Sequence, residues 1–126
     1  MIDIQKQIDY WRDQAVSDME TAEILIEKKK LLPGLFFCHL TIEKILKAHF
    51  VKNYNAVPPK THNLSYLIEK SNLNVNDEQD KLLGDLMNYQ LEGRYPEFSI
   101  QAPSQIESAN YLKKTKELLN WLINLL

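Results

Sequence analysis

Three polar residues, His39, Glu43 and Lys47, recur every fourth position inside a stretch that is otherwise largely apolar from Leu35 to about Tyr54. On a helix this spacing stacks all three on one face, with Glu43 preceding Lys47 in the favourable order for an ion pair. Such a ridge can line a polar cleft in a helical bundle or at an interface between two copies. It can equally be buried structure, because a carboxylate in apolar surroundings must find a partner. His39 and Glu43 also match half of a helical metal site, but no third ligand stands at suitable spacing, so no metal is expected.

A second set of candidates lies further along. Lys60, His62, Arg94 and Tyr95 supply the groups an anion or nucleotide site needs. The start of a short helix near His62 offers free N–H groups and a positive dipole end. Arg94 brings a planar fork for phosphate, Lys60 a point charge, His62 a donor and Tyr95 a face on which a base can stack. The structural alternative is that His62 caps its helix and Arg94 pairs with a carboxylate such as Glu43 or Glu97. His49 and Cys38 sit in apolar runs and read as structure, the cysteine having no visible base beside it. Trp11, Trp121 and the Leu-rich C-terminal stretch either fill the core or serve a partner.

The elements that must position these residues are all helical by pattern. From Ile4 to about Lys30, Ile4, Ile8, Trp11, Ala15, Met19, Ala22 and Ile26 recur at intervals of three or four, the signature of one long amphipathic helix. Pro33-Gly34 is expected to break the chain after it. The Leu35 to Tyr54 stretch, with Phe36, Phe37, Leu40, Ile42, Ile45, Leu46, Ala48, Phe50 and Val51 available for burial, predicts a central helix. Pro58-Pro59 ends any helix there, and a short third helix is expected from about His62 to Lys70, capped by Thr61, with Leu64, Leu67 and Ile68 inward.

Asn76 with Gln79 suggests a capping box opening a fourth helix that runs to about Gln90, is marked by Leu82, Leu83, Leu86, Met87 and Leu91, and is closed by Gly93. The proline-bounded segment from Arg94 to Pro103 has no sustained period and reads as an ordered loop of about ten residues. Ser104 with Glu107 forms a second capping box, after which Ile106, Ala109, Leu112, Leu119, Leu122 and Leu126 carry a last helix. No alternating strand pattern or repeat appears. The expected fold is therefore all-α, an up-and-down antiparallel bundle of four long helices and one short one.

Composition sets the outer bounds. A chain of 126 residues is expected to form one domain over residues 1–126. The apolar runs Leu31 to Leu40 and Leu118 to Leu126 are well short of the ~20 residues of a spanning helix. A lone cysteine and the absence of a leader pattern point to the cytoplasm. A net charge of −2 argues against strong non-specific nucleic-acid binding. No Gly-rich phosphate loop, positioned nucleophile or ligand cluster is present, so no cofactor is expected and the catalytic residues, if any, are not legible.

The run His39-Leu40-Thr41-Ile42-Glu43-Lys44-Ile45-Leu46-Lys47-Ala48 resembles the second-helix signature of HEPN domains, the higher eukaryotes and prokaryotes nucleotide-binding family. Pro59-Lys60-Thr61-His62-Asn63-Leu64 resembles the Thr-His-Asn-Leu segment opening the family's short third helix, and Arg94-Tyr95-Pro96 resembles its Arg-Tyr-Pro loop. The resemblance spans nearly the whole chain. It implies a bundle that commonly homodimerises, in a family of nucleotide-binding modules, partners of small nucleotidyltransferases in toxin-antitoxin pairs, and metal-independent RNases. The ribonuclease members share an Arg followed four to six residues on by a His. That arrangement is absent: no His follows Arg12 before His39, and none follows Arg94. The resemblance therefore points first to a nucleotide-binding or interaction module, with an RNase using a non-standard site and a ligand-free dimerisation scaffold as the other readings.

Overall fold

The computed structural model describes residues 2–91 and 100–126. Its helices are α1 (Ile4–Glu27), α2 (Leu31–Tyr54), α3 (Leu64–Ser71), α4 (Asp77–Met87) and α5 (Gln105–Asn124), with no strand among the described residues. The protein is an all-α antiparallel bundle, as its patterning predicts. Among the described helices α2 alone contacts each of the other four, which explains why it is apolar on more than one side. Leu35, Ile42, Ile45, Leu46, Ala48 and Val51 are fully buried in the core, whereas Phe36, Phe37, Leu40 and Phe50 are only half-buried.

The α1–α2 turn departs from expectation. The break falls at Lys28–Lys30, where Lys29 adopts φ 63°, and Pro33 and Gly34 lie inside the first turn of α2. Proline costs little in a first turn because the N–H it lacks there has no intrahelical partner. Gly34 is required by close approach: a Cβ at this position would stand 2.5 Å from Cγ1 of Ile26 on α1. The tight hairpin and the missing side chain together let α1 and α2 pack along their length.

Three smaller corrections follow from hydrogen bonding. Helix α3 begins at Leu64, and its cap is Asn63, whose side chain accepts from the Tyr66 N–H, while Thr61 instead accepts from the Asn63 N–H. Both are short oxygen-bearing side chains, and the one adjacent to the first helical residue wins. Helix α4 ends at Met87 rather than near Gln90, because the N–H groups of Asn88, Tyr89 and Gln90 turn back to carbonyls three residues earlier. At eleven residues it is shorter than the other three long helices expected from the pattern. Gly93 and most of the expected Arg94–Pro103 loop fall outside the described residues.

Both capping boxes are present as read. The Asn76 and Ser104 side chains accept from the backbone N–H groups of Gln79 and Glu107, whose side chains return the bond. The inward stripe of α5 differs from the apolar reading at its start: Ile106 is 83% exposed, and Ser108 and Thr115 are buried in line with Leu118, Leu119 and Leu122. Thr115 satisfies its hydroxyl locally by donating to the Tyr111 carbonyl at 2.7 Å, so a polar residue occupies a core position at little cost.

Candidate functional site

The ridge on α2 and the connection leading into α3 meet. His39, Glu43 and Lys47 retain 0%, 3% and 6% of their surface, so all three are buried in the bundle. Lys47 Nζ donates to Glu43 Oε2 at 3.1 Å, forming the i to i+4 pair that the spacing predicts. Trp11 on α1 lies against the lysine of that pair, with its ring centroid 5.3 Å from Lys47 Nζ, and anchors its own indole N–H on Gln7. Spacing within α2 cannot reveal this role for Trp11, because α1 brings the ring to the site.

His62 completes the cluster from the other side. Its Nδ1 donates to Glu43 Oε1 at 2.9 Å, and its side chain is 44% exposed, so it is the member of the group that reaches solvent. The same residue is held a second time through its backbone: His39 Nε2–H donates to the His62 carbonyl oxygen at 3.1 Å. A carbonyl only accepts, so in neutral His39 the other ring nitrogen, Nδ1, carries the lone pair. That nitrogen is buried, makes no hydrogen bond, and faces Glu43 Oε1 at 3.8 Å. Nδ1 thus faces an oxygen that already accepts from His62, and is itself left with no donor among the described residues. Burial pushes the His39 pKa down from its ordinary value; the Glu43 carboxylate pulls in the opposite direction but less strongly.

His62 does not cap α3, so the capping alternative for this residue is set aside. The group has a different structural role. Glu43 and His39 fix the ring and the backbone of His62, and the connection between α2 and α3 is thereby held against α2. Lys60 is exposed on that same connection, two residues upstream. Arg94 and Tyr95 lie outside the described residues. Of the seven sequence candidates, four are brought together, a fifth lies on the adjoining segment, and two are not placed. Among the described residues no group of three or more His, Cys, Asp or Glu is arranged to hold a metal ion.

The remaining reactive side chains serve the core. His49 Nε2–H donates to the Leu122 carbonyl at 2.8 Å and ties α2 to α5, and burial lowers its pKa. Cys38 is fully buried, and burial pushes its thiol pKa up to about 12, far from the thiolate a nucleophile requires.

Residues 8–126 match the family described as HEPN domain. The chain belongs to the HEPN family. The bundle is also similar to the crystal structure of TT1696 from Thermus thermophilus, with a TM-score of 0.79 and 16% identity, covering 95% of this chain and 98% of that one. At that identity the likeness concerns the fold. No curated protein matches the sequence at a significant level. Among the described residues no helix of this HEPN chain is long and apolar enough to cross a membrane. The motifs of the resemblance that fall within the described residues acquire distinct structural meanings: Glu43 and Lys47 form the buried pair, His62 is clamped upon it, and Asn63 caps α3.

Proposed function

We propose that this HEPN chain, as one unit over residues 1–126, is a nucleotide-binding or interaction module that takes the phosphate of its ligand beside His62. The carrying observation is the convergence of His39, Glu43 and Lys47 with His62, which comes from a separate segment. Two part-buried hydrogen bonds, one to its ring and one to its backbone carbonyl, hold the half-exposed His62 in a defined place. Lys60 adds positive charge at the rim, and Arg94 and Tyr95 are assigned to the same site as phosphate fork and stacking face. The reading includes a homodimer in the cytoplasm, with a nucleotidyltransferase-type partner in a toxin-antitoxin-like setting. Half-buried Phe36, Phe37, Leu40 and Phe50 on α2 support a face reserved for another chain.

One observation favours the RNase reading as the second choice. A buried carboxylate accepting from the Nδ1–H of an exposed histidine is the arrangement that orients a general base. A thermal-shift series with ATP, AMP, inorganic phosphate and a short RNA, paired with an RNA-cleavage assay, on wild type and on Arg94→Ala and Lys60→Ala, separates the readings. Nucleotide-dependent stabilisation that both variants lose supports the module. RNA cleavage lost in Arg94→Ala supports the ribonuclease. No shift and no cleavage by a folded protein leaves the dimerisation scaffold.

A further inference from the structure

We infer that anion binding at this site is coupled to uptake of a proton by His39, whose buried Nδ1 faces the Glu43 carboxylate and has no hydrogen-bond partner among the described residues. The inference rests on the anion-binding reading given above. It starts from a charge count. Lys47 balances Glu43 inside the bundle, so the buried pair carries no net charge to attract an anion. A phosphate at His62 adds negative charge at the edge of a low-dielectric cluster, where an added positive charge is worth far more than in water. The seat for that charge already exists. His39 Nε2–H is committed to the His62 carbonyl, and Nδ1 lies 3.8 Å from Glu43 Oε1. A proton on Nδ1 turns two facing acceptors into a donor and an acceptor. It also converts the bond to the His62 carbonyl into a charge-assisted one, tightening the segment that carries Lys60 and His62.

The groups facing His39 are accounted for. Glu43 and Lys47 come from its own helix and His62 from the connection: Glu43 and the His62 carbonyl favour the added proton, while the His62 ring and Lys47 oppose it. From α1 the residue against Lys47 is Trp11, which does not titrate. In the free protein burial keeps His39 neutral near pH 7, so the proton is there to be gained on binding. By linkage, affinity then falls as pH rises, by up to about tenfold per pH unit at the limit of one proton.

The test is titration calorimetry of the wild-type protein with AMP near pH 7.5, above the second phosphate ionisation of about 6, in two buffers of different ionisation enthalpy. The slope of binding heat against buffer enthalpy gives the number of protons taken up. Uptake in the wild type that disappears in His39→Gln, which keeps a donor for the His62 carbonyl but cannot ionise, is the expected result. Imidazole nitrogen NMR shifts of the wild type, free and AMP-bound, identify the protonated ring without any variant. Binding with no uptake, or uptake retained in His39→Gln, overturns the inference and leaves the anion site standing. No binding of AMP or inorganic phosphate overturns both.

Discussion

Replacing Lys47 with Met removes the ammonium 3.1 Å from Glu43 Oε2 and leaves a carboxylate with 4% side-chain exposure in the bundle. The methionine fills the space of the lysine stem, so the loss is mainly electrostatic. Breaking a buried pair on one side costs about 3–5 kcal/mol, and the bond from His62 to the other oxygen places this site near the lower end. At roughly 4 °C per kcal/mol for a chain of this size, Lys47→Met should lower Tm by about 12 °C. Urea denaturation is the better assay, because an unchanged slope with a lower midpoint reports stability alone. The double variant Glu43→Gln with Lys47→Met removes both charges and should recover at least half of the loss, a coupling that a double-mutant cycle isolates. A Lys47→Met protein within about 1 kcal/mol of wild type, or a double variant as unstable as the single one, would refute a buried, mutually dependent pair.

Other perturbations test separate parts of the bundle. His39 and His49 both have pKa values lowered by burial, so the unfolded chain binds more protons just below the ordinary histidine value of about 6.5. Their contribution is therefore complete above that value and declines as pH falls through it toward the folded-state pKa values. Urea midpoints between about pH 7.5 and 5.5 should drop on acidification, more shallowly in His49→Gln, and a flat profile would contradict neutral buried rings. Gly34→Ala should destabilise by about 1–3 kcal/mol, because its Cβ meets Ile26 at 2.5 Å. Gly84→Ala, in α4 with nothing within 4 Å, should instead stabilise by ~0.5–1 kcal/mol, and equal effects at the two glycines would undo that contrast. Cys38, with its thiol pushed up to about 12, should react with a thiol reagent only when the protein unfolds, so rapid labelling of native protein would place it outside the core.

Helix identity was legible because burying one stripe of a helix requires a period near 3.6, which α1, α4 and α5 carry in their apolar residues, while α2 showed itself as a long run apolar on more than one side. The capping boxes at Asn76 and Ser104 were equally plain, since the bond they make spans only three residues. The same locality made the Glu43–Lys47 pair readable, along with the family motifs that surround it. Where two neighbouring residues compete for one local role, sequence alone is ambiguous: Thr61 and Asn63 both suit a cap, and only the backbone path selects Asn63.

Contacts between distant parts of the chain became visible only once the helices were packed. Gly34 reads as a helix breaker until Ile26 is seen to occupy the space a side chain would need. Ser108 and Thr115 look like surface residues until α5 packs with them inward, and Ile106 looks like core until it is left exposed. Most of all, His62 meets Glu43 nineteen residues away, and Trp11 reaches Lys47 from another helix. No periodicity encodes such meetings, because they depend on how α1, α2 and the segment before α3 dock, not on spacing within any one of them. Local pattern dictated which helices form and which polar residues need partners. Packing dictated which partners they found, and with them the unmatched nitrogen of His39 on which the proposed proton coupling depends.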